Sequence, residues 1–165
     1  MDGKGSQTLA FHAGKGEAYS YHYNTVLNML PTDPQHILIE TNNFKGNPSV
    51  YKVDIRTGDK REVMTSPLED GDLTTDNNGE VRLVAGYNEK TLKPVLEYRE
   101  PGSLDWKDIS SLTEDQPRYM SVGPIAFTPD NKEIYFEALT PKGTIGLYKV
   151  NPQTLQTTLM YSDPY

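Results

Sequence analysis

The chain has 165 residues, a net charge of -7 and a pI near 4.9, so it can bury the core of one ordinary domain. The acidic balance disfavours contact with nucleic-acid phosphates, and no apolar run approaches the roughly 18 residues of a membrane-spanning helix. The absence of cysteine excludes disulfides, thiolate metal ligands and thiol nucleophiles.

The start of the chain precedes the repeated part. Its opening letters, MDGKGSQ, lack the basic and apolar regions of an export signal, which does not settle the compartment. Residues 1–17 are predicted to be an extra strand, at Gln7 to Ala13, or a segment next to a tag.

The next stretch predicts four strands. Ile37 and Ile39 begin a period-two alternation after the turn PTDPQ, which is typical of a strand with one buried face. Asp54 and Gly58 supply a side-chain acceptor and a positive φ for a tight hairpin. The predicted strands are Tyr19–Asn28, Ile37–Asn42, Ser49–Asp54 and Lys60–Thr65.

Two further stretches repeat this order. Glu100-Pro-Gly102 is predicted to close the last hairpin of the second stretch, and Asn151-Pro152 that of the third. The second stretch predicts strands Leu68–Thr74, Glu80–Tyr87, Lys93–Arg99 and Trp106–Leu112. The third predicts strands Tyr119–Phe127, Glu133–Leu139, Ile145–Val150 and Thr157–Tyr161.

Two independent motifs recur along the chain with nearly the same period. An aspartate occurs in each polar turn, at Asp33, Asp76 and Asp130, and a tyrosine follows in each third strand, at residues 51, 98 and 148. Four strands per period of 45 to 50 residues indicate propeller blades. We therefore expect an all-β chain of about three four-stranded antiparallel blades, a partial β-propeller, with blades near 18–66, 67–117 and 118–162.

Three blades are fewer than a closed ring requires. Propellers close with typically 4 to 8 blades, so two blade faces would lack neighbours. We expect either that the chain belongs to a longer protein or that copies associate through these faces.

Several residues could carry chemistry, but each has a simpler structural interpretation. His12, His22 and His36 are predicted to have structural or surface roles, and Trp106 and the three repeated tyrosines to serve in packing. GKGS and GKGE, at Gly3 and Gly14, lack the rest of a phosphate-binding loop. The cluster of Asp70, Asp72, Asp76, Asn77 and Asn78 lacks EF-hand spacing and is predicted to form a turn. The sequence predicts no catalytic residue, no metal site and no cofactor.

The order of the motifs carries a resemblance. LPTDPQHILIE, VYKVDIRTG, DNNGEVRLVAGY, YREPGSLDW and FTPDNKEIYF together resemble the amino-terminal β-propeller of bacterial serine peptidases of the prolyl oligopeptidase family, including acylaminoacyl-peptidase-like members. The resemblance covers roughly Leu30 to Pro164. It implies a propeller that restricts peptide access to a separate α/β-hydrolase domain, which carries the catalytic residues.

Two functions follow as expectations. The first is a non-catalytic propeller segment of such a peptidase, whose partners are the hydrolase domain and a peptide substrate; the chain itself contains no Gly-x-Ser-x-Gly elbow. The alternative is a free-standing, protein-binding propeller that resembles that of the Tol envelope system. A third interpretation is a propeller that is itself a carbohydrate-active enzyme.

Overall fold

The computed structural model describes residues 24–42, 47–88, 90–113 and 123–162. These residues form twelve β-strands and one short turn of 3-10 helix. The strands make three antiparallel sheets of four, and strands consecutive in the chain are neighbours in the sheet. Such an up-and-down sheet is the unit of a propeller blade, and the expected all-β fold class is confirmed.

The chain divides into two compact units, Met1–Glu69 and Asp70–Tyr165. The first sheet lies in the first unit, where Ile37, Ile39 and Val53 form a buried cluster with Tyr51 against it. Alternation along the second and third strands places these side chains on one face. The strands are β1 Thr25–Asn28, β2 His36–Asn42, β3 Pro48–Asp54 and β4 Lys60–Thr65.

The second unit contains two sheets. The second sheet has β5 Asp72–Thr75, β6 Val81–Tyr87, β7 Pro94–Tyr98 and β8 Lys107–Asp108. The third sheet has β9 Gly123–Phe127, β10 Ile134–Leu139, β11 Ile145–Val150 and β12 Thr157–Ser162.

One hydrophobic core joins these two sheets. The second sheet contributes Leu83, Leu96 and Tyr98 to it, and Phe127, Ile134, Phe136 and Val150 come from the third. Removing this apolar surface from water is the main stabilising term of the unit. The two sheets therefore form one packed body.

The strand registers confirm the phase of the repeat. The tyrosines at positions 51, 98 and 148 lie opposite Ile39, Leu83 and Phe136, which are themselves equivalent positions of the second strand in each sheet. The three repeated tyrosines therefore occupy the same position in each four-stranded sheet.

The predicted turn chemistry is also confirmed. Asp54 Oδ1 accepts hydrogen bonds from the backbone N–H groups of Arg56 and Thr57, and Asn151 Oδ1 accepts the equivalent pair from residues 153 and 154. Gly58 has a φ of 77° and its counterpart Leu155 a φ of 60°. The side-chain acceptor therefore fixes this hairpin even where the left-handed position is not glycine.

Two predicted strands are wrong in part. The strand placed at Leu68–Thr74 begins only at Asp72, because the Ser66 hydroxyl accepts a hydrogen bond from the Leu68 N–H and folds this segment into a local turn. The strand placed at Trp106–Leu112 is limited to Lys107–Asp108, and a 3-10 turn at Ser110–Leu112 follows. Asp108 Oδ1 accepts the Ser110 N–H at 2.8 Å, which favours a turn over a strand.

Other predictions fall partly outside the described residues. Gln7–Ala13, Tyr19–Tyr23 and Tyr119–Val122 lie there. Within the described residues, no helix has the length and apolar character needed to cross a membrane.

Candidate binding cleft between the second and third sheets

A cleft of about 470 Å³ opens where the second and third sheets meet. Its walls come from four turns that lie at one end of the two sheets: β5–β6, β7–β8, β9–β10 and β11–β12. In an up-and-down sheet the first and third turns share an end, so the topology brings these turns together. We call this space the Arg82 cleft.

Arg82 forms the floor of the Arg82 cleft. Its side chain is 2% exposed and donates hydrogen bonds to the hydroxyl of Tyr98 at 2.6 Å and to the backbone carbonyl of Asn131 at 3.0 Å. Its Nε donates to the carbonyl of Arg99 at 3.2 Å, and its guanidinium lies 4.7 Å from the ring centroid of Phe127. One side chain of the second sheet therefore contacts two residues of the third.

The charge of Arg82 is paired. Asp76 Oδ2 lies 3.5 Å from an Arg82 terminal nitrogen, and Asp76 is also 2% exposed. Asp76 Oδ1 accepts the backbone N–H groups of Asn78 and Glu80, at 2.9 and 3.0 Å. A buried ion pair persists only when further hydrogen bonds satisfy both partners, as they do here.

Polar contacts continue across the two sheets around this floor. The Asn77 side-chain amide donates to the Thr128 carbonyl at 2.8 Å and to Asn131 Oδ1 at 2.6 Å. On the other side, Gln153 Nε2 donates to Glu100 Oε1 at 3.0 Å. The turns that line the cleft are thus tied to one another across the sheets.

The rim of the Arg82 cleft is exposed and carries both charges. Lys132 and Asp130 are 79% and 59% exposed, and Glu100 and Gln153 are also exposed. Hydrogen bonds from the Thr128 hydroxyl and the Lys132 N–H hold the pKa of Asp130 below its usual range, so the rim carboxylate is charged at neutral pH.

The tyrosine of the floor is held in its neutral form. Burial raises the pKa of Tyr98, and its hydrogen bond to Glu100 acts in the same direction, while Arg82 opposes both. The Tyr98 hydroxyl donates a hydrogen bond to Glu100 Oε2 at 3.0 Å and accepts one from Arg82. This chain of bonds fixes the polar groups in place, which suits recognition of a polar surface.

The histidines and the acidic cluster were candidates for a metal site or for catalysis. His12 and His22 lie outside the described residues, whereas His36 Nδ1 lies 2.9 Å from both carboxylate oxygens of Asp33. Asp76 forms a turn, as the repeat predicts, and Asn77 bonds the third sheet. Among the described residues no group of three histidine or acidic side chains is arranged to hold a metal ion.

The aromatic candidates are used in packing. Trp106 lies under Arg99, whose guanidinium carbon is 5.0 Å from the ring centroid. Tyr98 is in the shared core and Tyr148 packs against it, while the Tyr51 hydroxyl donates to Glu62 at 2.8 Å.

Sequence reasoning missed Arg82 as a site residue. The segment VRLV suggests an outward-facing arginine in an alternating strand, and its acceptor Asn131 is 49 residues away. The signal that could have identified Arg82 is a charged residue inside an apolar run. Such a residue is buried only when its charge is paired, so a charge in this position indicates a buried partner.

The sequence matches no protein-family model and no curated protein. Among solved structures, the chain is similar to TolB from Acinetobacter baumannii, with 13% identity and a TM-score of 0.48. The similarity covers 81% of this chain and 31% of that one, so the chain spans less than a third of the length of TolB.

Proposed function

We propose that this chain is a non-catalytic β-propeller segment that binds a protein partner, and that the Arg82 cleft is part of the binding surface. In this it would resemble the free-standing propeller of the Tol envelope system. The observation that carries the proposal is the contrast between a fixed, buried floor and an exposed rim with both charges.

A fixed polar floor lowers the entropy lost on binding. Arg82, Asp76 and Tyr98 already hold one another, so a partner would not have to order them. The rim side chains of Asp130, Lys132 and Gln153 reach solvent, where they can form hydrogen bonds and ion pairs with a protein loop. Charged rim contacts chiefly determine specificity and association rate.

A rim variant with a matched control tests the proposal. Lys132→Glu reverses a charge on the cleft, whereas Lys142→Glu reverses one in the β10–β11 turn, at the opposite end of the same sheet. The pure chain and both variants would serve as baits in an extract of the source organism. We expect a protein that the wild type and Lys142→Glu retain and that Lys132→Glu loses.

Either of two results would overturn this assignment. One is a set of retained proteins that is the same for all three baits. The other is hydrolysis of a small aminoacyl or peptidyl substrate by the pure chain, which would contradict the non-catalytic role.

The peptidase interpretation is a second candidate, and it rests on the order of the sequence motifs. In that case the chain would gate peptide access to a hydrolase domain in the same polypeptide. The coding sequence after Tyr165 distinguishes the two: several hundred further residues with Gly-x-Ser-x-Gly would favour the peptidase, and an early stop after more blades would favour the binding propeller.

A further inference from the structure

The outer strands of the first and third sheets are equivalent in register. Val53 pairs with Lys60 and Val150 with Thr157, and both strands carry a one-residue bulge two pairs further on. Position by position, Lys60, Arg61 and Glu62 of β4 therefore correspond to Thr157, Thr158 and Leu159 of β12. The two strands have the same length, turn and bulge.

The exposed side chains of the two strands differ: those of β4 are largely charged, and those of β12 are uncharged. Lys60, Arg61 and Glu62 are exposed on β4, and charges along an edge strand prevent it from pairing with another chain. Strand β12 has no charged residue, and its Leu159, Met160 and Tyr161 are 48%, 51% and 67% exposed. The outer strand of the second sheet, β8, has only two residues, which also limits pairing.

One side of β12 is open within the described residues. There it pairs with β11 alone, and it is the last strand in the order of the third sheet. An edge strand presents backbone N–H and C=O groups to which another strand can add. Strand β12 combines this edge with apolar side chains and the absence of charge.

We propose that β12 pairs antiparallel with β12 of a second copy of this chain. Each copy has a net charge of -7, so two copies repel each other at long range, and close approach is least opposed where both surfaces are uncharged, as along β12. In the register centred on the strand, Thr157 lies opposite Ser162, Thr158 opposite Tyr161 and Leu159 opposite Met160. Every pair is uncharged, and the central pair is apolar.

This pairing gives a closed dimer of modest strength. A two-fold axis uses the same edge of both copies and leaves no further β12 edge for a third. Six residues a side is less than a standard interface, and the bulge at Met160 interrupts the ladder. The dimer is expected to dissociate below roughly 10 μM.

An exchange of sequence between the two strands tests the proposal. The variant Thr157→Lys/Thr158→Arg/Leu159→Glu gives β12 the charges that β4 carries in the same register. The net charge changes only from -7 to -6, so long-range repulsion does not increase. In sedimentation velocity the sedimentation coefficient of the wild type should rise with concentration, and that of the variant should not.

Single cysteines provide a test that does not depend on the triple variant folding. The chain has no cysteine, so Met160→Cys reports on one position, and Val63→Cys at the equivalent bulge of β4 is the control. Under mild oxidation, Met160→Cys should form a covalent dimer at least tenfold faster than Val63→Cys.

Three outcomes would overturn the proposal. They are a wild type that stays monomeric at several hundred micromolar, an association that the triple variant leaves unchanged, and equal rates of crosslinking for the two cysteines. Growth into open-ended aggregates would also contradict it, because the proposed pairing closes at two copies.

Discussion

The aspartate turns before β2 and β6 have the same place in the repeat, yet they hold their carboxylates in different environments. Asp33 has a side chain that is 31% exposed and contacts Lys52 Nζ at 2.6 Å and His36 Nδ1 at 2.9 Å. Asp76 is 2% exposed and has Arg82 as its charged partner at 3.5 Å. A shared turn motif therefore carries a surface ion pair in one sheet and a buried one in another.

The difference shows what the repeat determines and what it leaves free. The backbone turn needs an oxygen acceptor in each copy, and aspartate supplies it in both. The partner of that aspartate differs between the sheets: it is Lys52 on β3 in the first sheet and Arg82 on β6 in the second. The buried pair also contacts another sheet, through the Asn131 carbonyl, so this turn contributes to the Arg82 cleft.

The largest expected effect comes from breaking the buried pair. Arg82→Met leaves the Asp76 carboxylate buried without its partner, which should lower the free energy of unfolding by about 3–5 kcal/mol. Urea unfolding followed by the fluorescence of Trp106, the single tryptophan, reports on this unit. Adding Asp76→Asn should recover part of the loss, because the unpaired charge is removed. A loss below 1 kcal/mol would contradict the role of Arg82.

A smaller effect is expected at the contact between the β5–β6 and β9–β10 turns. Asn77→Ala removes the hydrogen bonds of the side-chain amide to Thr128 and Asn131 and should cost about 1–2 kcal/mol by the same fluorescence measurement. Asn78→Ala is the matched control, since the Asn78 contact with Asp76 uses its backbone N–H. Equal losses in the two variants would show that the cross-sheet bonds do not stabilise the unit.

The exposed pair should show a weaker effect that depends on pH. The hydrogen bond from Lys52, followed by that from His36, holds the pKa of Asp33 well below its ordinary value of 3.8. Because the folded pKa lies below the unfolded one, the pair stabilises above about pH 4 and its contribution falls as the pH is lowered. Lys52→Met should raise the Asp33 pKa, measured by NMR, and destabilise less at pH 3 than at pH 7. A pH-independent difference would contradict this account.

The smallest effect is expected at Tyr51. Burial, and then the hydrogen bond to Glu62 and its charge, raise the pKa of Tyr51 to about 12. Since this folded pKa exceeds the unfolded value of 10, the contribution of Tyr51 to stability is complete below pH 10 and decreases as the pH rises towards 12. Glu62→Gln should lower the pKa, and burial should keep it above 10, as measured by ultraviolet absorbance. An unchanged pKa would exclude a contribution from Glu62.

Most strands and turns could be predicted from the sequence because their determinants are local. Alternation and the Asp54 and Asn151 turns depend on neighbouring residues, so β4 and β11 were predicted at their observed bounds. The error at Trp106–Leu112 has a local cause too, since Asp108 Oδ1 accepts hydrogen bonds from both the backbone N–H and the hydroxyl of Ser110 in a turn. This turn leaves only Lys107–Asp108 of the predicted strand.

The cleft could not be predicted in the same way. Arg82 is placed by partners at positions 76, 98 and 131, and the last belongs to a different sheet. No local pattern in VRLV identifies a carbonyl 49 residues away as an acceptor. The family resemblance does not reach these contacts either, because the quoted motifs describe turns and strands, and the peptidase parent stays a prediction.

The account depends most on the floor of the Arg82 cleft being shared by two sheets. Hydrogen exchange of Arg82→Met tests this directly at the β9–β10 turn, where the Thr128 and Asn131 amides donate backbone hydrogen bonds. Under native conditions, peptides that cover residues 127–134 should exchange at least tenfold faster than in the wild type, and Lys52→Met should leave them unchanged. Faster exchange confined to the second sheet would contradict the account.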